Sequence, residues 1–146
     1  MMNMKFVAIL VLVLLVSACA PKTFIRTAEP GWSTVEMREE LTYDEAWKQM
    51  VDVLAQKFDL EVISKEGGYV RTGWIHSWTG KMTEHYKVRA IVKFDPDREN
   101  VAFKSDAQYY GNGFIGIGKG WELGTDERLT KTVKTDLMGK LGRTTR

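Results

Sequence analysis

The chain has 146 residues, and its 21 Lys and Arg against 19 Asp and Glu leave a formal net charge of +2. Hydrophobic residues make up 44% and charged residues 27%, an ordinary globular composition that argues against disorder, collagen-like repeats and multi-span membrane folds. The single Cys excludes an internal disulfide framework, a Cys-rich zinc site and an iron–sulfur cluster, and the near-zero charge argues against a dedicated nucleic-acid binder.

Residues 1–18 read as a leader rather than as part of the fold. Lys5 supplies a positive n-region, and Phe6 to Val16 is an unbroken apolar run of 11 residues. Such a run is too short to span a bilayer as a helix but suits a signal-peptide h-region. Val16-Ser17-Ala18-Cys19 follows directly, and it resembles the lipobox of bacterial lipoproteins. That resemblance implies that Cys19 becomes the first mature residue and carries the lipid. With Ala20 rather than Asp after the Cys, it also implies the outer membrane, on the periplasmic face. The alternative is an ordinary cleaved signal that leaves a free thiol. The lipoprotein reading leaves 128 mature residues, the 146 less the 18 of the leader. Two or more acyl chains would anchor them firmly.

Residues 19–40 read as the lipidated Cys and a tether, because Pro21 and Pro30-Gly31 break regular structure and no apolar period is sustained. The competing expectation is that Phe24, Ile25 and Trp32 strap across the core. The remainder, 41–146, reads as a single domain. It opens on Thr42-Tyr43-Asp44-Glu45, a capping box with Leu41 before it. Trp47, Met50, Val51, Leu54 and Phe58 then repeat at helical spacing, which predicts a helix over about 43–58.

Four strands are expected at 59–64, 69–78, 83–94 and 100–108, separated by short turn segments. Pairing Ser64 with Tyr69, Trp78 with Thr83 and Phe94 with Val101 sorts the side chains onto two faces. One face collects Leu60, Val62, Tyr69, Ile75, Tyr86, Val88, Ala90, Val92, Phe94, Val101 and Phe103 as a core. Arg71 falls on that face and does not fit it, unless it reaches the sheet margin or pairs with a helix carboxylate such as Asp52. The other face carries Thr72, Trp74, His76, Trp78, His85, Lys87, Arg89, Lys93 and Lys104, with Trp74 opposite Lys87 and His76 opposite His85.

Residues 109–124 are Gly-rich and read as a loop. A last helix is expected at about 125–141, with Leu129, Val133, Leu137 and Leu141 as its apolar stripe and Thr125 or Asp126 as its cap. The expected fold is α+β: a four-stranded antiparallel meander with two helices on one face, in the order αββββα.

Little in the chain points to catalysis. His76 and His85 are the only histidines, and two ligands make half a metal site, so no metal and no cofactor is expected. No Ser, His and acid carry a nucleophile signature, so no enzyme is expected. Gly111-Asn112-Gly113-Phe114-Ile115-Gly116 matches G-x-G-x-x-G but lacks the parallel βαβ unit that a dinucleotide fold requires. That segment reads instead as a partner loop offering Tyr110, Phe114, Ile115, Ile117 and Trp121, or as residues tucked into the core edge. The most informative patch is the face bearing Trp74, His76, Trp78, His85, Lys87, Arg89 and Lys93. Trp rings stack on sugars, and Lys and Arg pair with phosphates and carboxylates. The bland alternative is an ordinary wet sheet face with Lys stems lying over Trp rings.

The lipobox, the capped helix ending in Phe58-Asp59-Leu60-Glu61-Val62 and the strand Gly68-Tyr69-Val70-Arg71-Thr72 together resemble the helix-grip domains of the C lipoprotein of the outer-membrane β-barrel assembly machine. The lipoprotein of the lipopolysaccharide translocon is a weaker likeness. The Gly-rich segment 111–120 departs from both. Neither family has catalytic residues. The resemblance implies a non-enzymatic accessory or scaffold subunit of an envelope complex, anchored by the lipid on Cys19 and bound to an envelope protein. The alternative is a binding module for an anionic glycan or glycolipid, either peptidoglycan or lipopolysaccharide. No nucleic-acid partner is expected.

Overall fold

The computed structural model describes residues 21–76, 85–111 and 120–143. The leader, Cys19 and the lipobox lie outside the described residues, as do Trp78, Phe114, Ile115 and Ile117. The elements are β1 (Phe24–Arg26), β2 (Ser33–Glu36), α1 (Tyr43–Ala55), β3 (Leu60–Ser64), β4 (Tyr69–Thr72), β5 (Tyr86–Phe94), β6 (Asn100–Gly111), β7 (Gly120–Asp126) and α2 (Glu127–Leu141).

The expected four-stranded meander is incorrect. The strands form one seven-stranded antiparallel sheet in the order β1-β7-β6-β5-β4-β3, and β2 pairs with β6 beside β7. The extra strands come from the two segments read as tether and loop. β1 and β2 span only three and four residues, too short to display an alternating pattern. The Gly-rich stretch conceals the end of β6 and most of β7, because Gly is depleted from strands on average, and the last two residues of β7, Thr125 and Asp126, fall where the final helix is expected to start. Residues 21–40, within the segment read as a tether, are therefore no free tether: Phe24 packs against the core, whereas Ile25 and Trp32 stay exposed.

The helices follow their local signals. Thr42 and Glu45 form the reciprocal capping box, which holds the Glu45 carboxyl below its usual pKa. Helix α1 stops at Ala55, earlier than expected, yet Phe58 is still buried. Helix α2 buries Leu129, Val133, Leu137 and Leu141, the expected stripe, and Asp126 is its cap. Both helices cover one face of the sheet, and a Lys57–Asp136 ion pair ties the turn after α1 to α2. The end of α2 is tied to the segment after β2 by a Met37–Gly142 bridge and by Arg143, which pairs with Glu36 at 2.9 Å and Glu39 at 2.6 Å.

Two expected registers hold, Ser64 with Tyr69 and Phe94 with Val101. The third turn lies outside the described residues, and the pairing beside it differs. β4 meets β5 with Arg71 opposite Ile91, one residue away from the expected Ala90. A one-residue slip exchanges the faces. Arg71 therefore leaves the core and ion-pairs with Glu61 at 3.2 Å, not with Asp52. Val70 and Thr72 take the core side, each 0% exposed. Thr72, expected on the polar face, instead receives the Ala90 N–H at 2.9 Å through its hydroxyl. Tyr69 and Val62 are not in the core, and a bulge between Leu60 and Val62 absorbs the irregularity. From Tyr86 to Phe103 the predicted core residues on β5 and β6 are all buried.

The turns on the β3 side interlock. Gly68 has φ +63°, in the left-handed region, and the Arg98 side chain packs where a Cβ would stand. That guanidinium donates to the Glu66 carbonyl at 2.7 Å and lies 4.4 Å over the Tyr43 ring.

Candidate functional site: the outer sheet face

The face of the sheet turned away from the helices carries the candidate site. Alternation along β5 places Lys87, Arg89 and Lys93 there; β6 adds Lys104, Asp106 and Tyr110, and β7 adds Trp121 and Leu123. Trp74, just past β4, lies under two cations, with Arg89 at 4.4 Å and Lys87 at 4.8 Å from its ring centre. Lys87 also sits 4.5 Å over Trp121, so one ammonium bridges two indoles. At the other end of the face, Trp32 holds Lys93 at 4.3 Å and Lys104 at 5.3 Å. Such contacts clamp flexible side chains and keep their charged heads at the surface.

Asp106 links the two ends. It accepts from Arg89 at 3.0 Å and pairs with Lys104 at 3.4 Å. The link from β1 to β2 crosses here, and Ala28 and Pro30 with Arg89, Lys104, Asp106 and Leu123 border a shallow depression of about 240 Å³. Among the described residues of this patch, Asp106 stands against Lys87, Arg89, Lys93 and Lys104, which leaves the patch net positive.

The structure brings together most, but not all, of the expected face. Trp74, Lys87, Arg89 and Lys93 share it. His85 stacks on Tyr110, which meets Trp121 edge-on at 5.5 Å. His76 is exposed, and the Ile75–Val88 bridge is shifted by two residues from the expected pairing, which takes His76 out of register with His85. Among the described residues, no three His, Cys, Asp or Glu side chains converge to hold a metal. Sequence reasoning missed Trp32, Asp106 and Leu123 on this face. Trp32 gave no signal of its own, because it precedes a four-residue strand too short to show a pattern.

The opposite, buried side holds one polar cluster. Asp126 is 0% exposed, caps α2 through the Leu129 N–H at 2.7 Å, and accepts from the Thr23 hydroxyl at 2.7 Å and from the Tyr86 phenol. Burial first, then the hydrogen bond to Asp126 and its charge, push the Tyr86 phenol well above its ordinary pKa. A raised folded-state value means that this stability is fully present below the unfolded value, about pH 10, and is lost as pH rises beyond it. Urea midpoints measured between pH 8 and 11, roughly the tyrosine range, are expected to fall more steeply for the native chain than for Tyr86→Phe. Equal slopes would refute this.

Among the described residues no helix is long and apolar enough to cross a membrane. No protein-family profile matches the chain, and no curated protein is significantly similar to it.

Proposed function

We propose that the protein is a lipid-anchored, non-enzymatic accessory subunit of the bacterial envelope, held at the periplasmic face of the outer membrane through Cys19. Its outer sheet face docks an acidic component of an envelope complex. The lipobox Val16-Ser17-Ala18-Cys19 supports the location. The observation that carries the docking surface is the row of three indoles, Trp32, Trp74 and Trp121, each set under Lys or Arg on one open sheet face. Antiparallel sheets commonly leave a polar face wet, but they seldom line it with half-exposed Trp. The same row favours a second reading, an anionic glycan or glycolipid, because an indole offers a sugar-stacking surface beside cations that pair with phosphate or carboxylate.

The test is affinity purification of the lipidated protein from crosslinked membranes. Replacing Trp74 and Lys87 together by Ala is expected to abolish association while leaving the far-UV spectrum unchanged. Unchanged co-purification would remove this face from the proposal. For the glycan reading, the lipid-free chain would bind purified peptidoglycan or lipopolysaccharide, and that binding would weaken as salt rises.

A further inference from the structure

We infer that the β1–β7 margin of the outer face rests on an anionic lipid bilayer, with Ile25, Trp121 and Leu123 seated among the headgroups. The inference relies on the proposed lipid at Cys19 for its geometry, and it names the membrane itself as one partner of the outer face.

The first argument is reach. The chain is fastened to the domain at Thr23, whose hydroxyl donates to Asp126 at 2.7 Å and whose carbonyl accepts from the Glu127 N–H at 2.8 Å. Cys19 lies four residues earlier, and four extended residues reach about 14 Å at most. An acyl chain on Cys19 therefore leaves β1 close to the bilayer.

The second argument is where the apolar surface lies. Exposed large apolar side chains on the two strands nearest the anchor are Ile25 at 46%, Trp121 at 45% and Leu123 at 51%. Ile25 pairs with Thr125, so strand alternation puts Ile25, Leu123 and Trp121 on one side of the sheet. Exposed apolar residues grouped in this way mark a contact surface.

The third argument is charge. Lys22 is exposed between the anchor and β1, and Lys87 stands over Trp121. Arg26 and Glu122 at the same margin neutralise each other in an ion pair. Indole and aliphatic side chains flanked by Lys match the headgroup layer of an anionic bilayer, where Trp and Lys both find partners.

The test places the lipidated protein in phosphatidylcholine–phosphatidylglycerol vesicles with brominated acyl chains. Tryptophan emission is expected to be quenched, with Trp121→Phe losing most of the quenching and Trp74→Phe little. Next, the chain carrying Cys19→Ser and lacking the leader is sedimented with the same vesicles; all its described elements lie within 21–143. The double variant Ile25→Ser/Leu123→Ser is expected to bind roughly a hundredfold more weakly, about tenfold per half-immersed aliphatic side chain. Acylated Cys19 without quenching would overturn the margin and keep the anchor. Unmodified Cys19 by mass spectrometry, with salt-sensitive sedimentation intact, would support the margin and remove the anchor reading. Quenching that survives both sets of substitutions, or crosslinks from position 121 to a protein in place of lipid, would overturn the inference.

Discussion

Replacing Asp126 by Ala is expected to destabilise the protein by about 3–4 kcal/mol, the sum of a lost helix cap and an orphaned buried hydroxyl. The position carries three tasks. It ends β7, caps α2, and holds Thr23, the point at which the N-terminal segment joins the domain. No loop separates β7 from α2, so the cap cannot be moved to a neighbouring residue without shifting the strand. Ala would leave the Leu129 N–H without its acceptor and the Tyr86 phenol buried without its partner. Asp126→Asn keeps a capping oxygen and is expected to cost about half as much, because Asn caps nearly as well. Urea unfolding of the three proteins checks this. A loss under about 1 kcal/mol for Ala would show that water replaces the carboxylate.

Gly124→Ala is expected to cost about 2–3 kcal/mol, as overpacking does, and to detach β1. A Cβ at position 124 would overlap the Ile25 carbonyl and the ring of Phe24, which crosses directly over the glycine. Backbone cannot yield as a flexible side chain would, so β1 must move away from β7. The pairings of Phe24 with Asp126 and Arg26 with Gly124 would be lost together. Hydrogen exchange reads this directly. The Thr27 amide, bonded to the Leu123 carbonyl at 3.1 Å, is expected to lose protection, whereas amides of β5 keep theirs. Unchanged protection at Thr27 would show that the sheet edge absorbs the methyl group. The variant also bears on the membrane inference, because releasing β1 lengthens the free segment after Cys19 and dissolves the margin formed with β7.

The legible parts of the fold were those with strong local signals. The capping box at Thr42 and the stripe Leu129, Val133, Leu137 and Leu141 each lie within one turn-to-turn repeat, and both helices formed where these signals stood. The long strands β5 and β6 alternate over enough residues to declare their buried side, from Tyr86 to Phe94 and from Val101 to Ala107. The candidate face was legible for the same reason, since Lys87, Arg89 and Lys93 alternate with Val88, Ala90 and Val92.

The misjudged parts were those held by partners distant in the chain. β1 is stabilised by β7, about a hundred residues later, and β2 by β6. Three or four residues with no pattern of their own cannot reveal such pairing. β4 is equally instructive. Each turn fixes the register on one side only, and the slip between β4 and β5 accompanies the complete burial of Val70 and Thr72, which a local pattern does not announce.

The amino-acid sequence alone determined both helices, the inward side of the two long strands, and a basic and aromatic outward side. These follow from periodicity and local motifs, which need only neighbours within a turn or a strand. The tertiary structure alone decided that the sheet has seven strands, that Arg71 leaves the core, that Trp32 joins Lys93 and Lys104, and that Thr23 ties the N-terminal segment to Asp126. Each of these depends on a contact between residues far apart in the chain. Such contacts form only when the whole core closes, since no local preference competes with the burial that drives them.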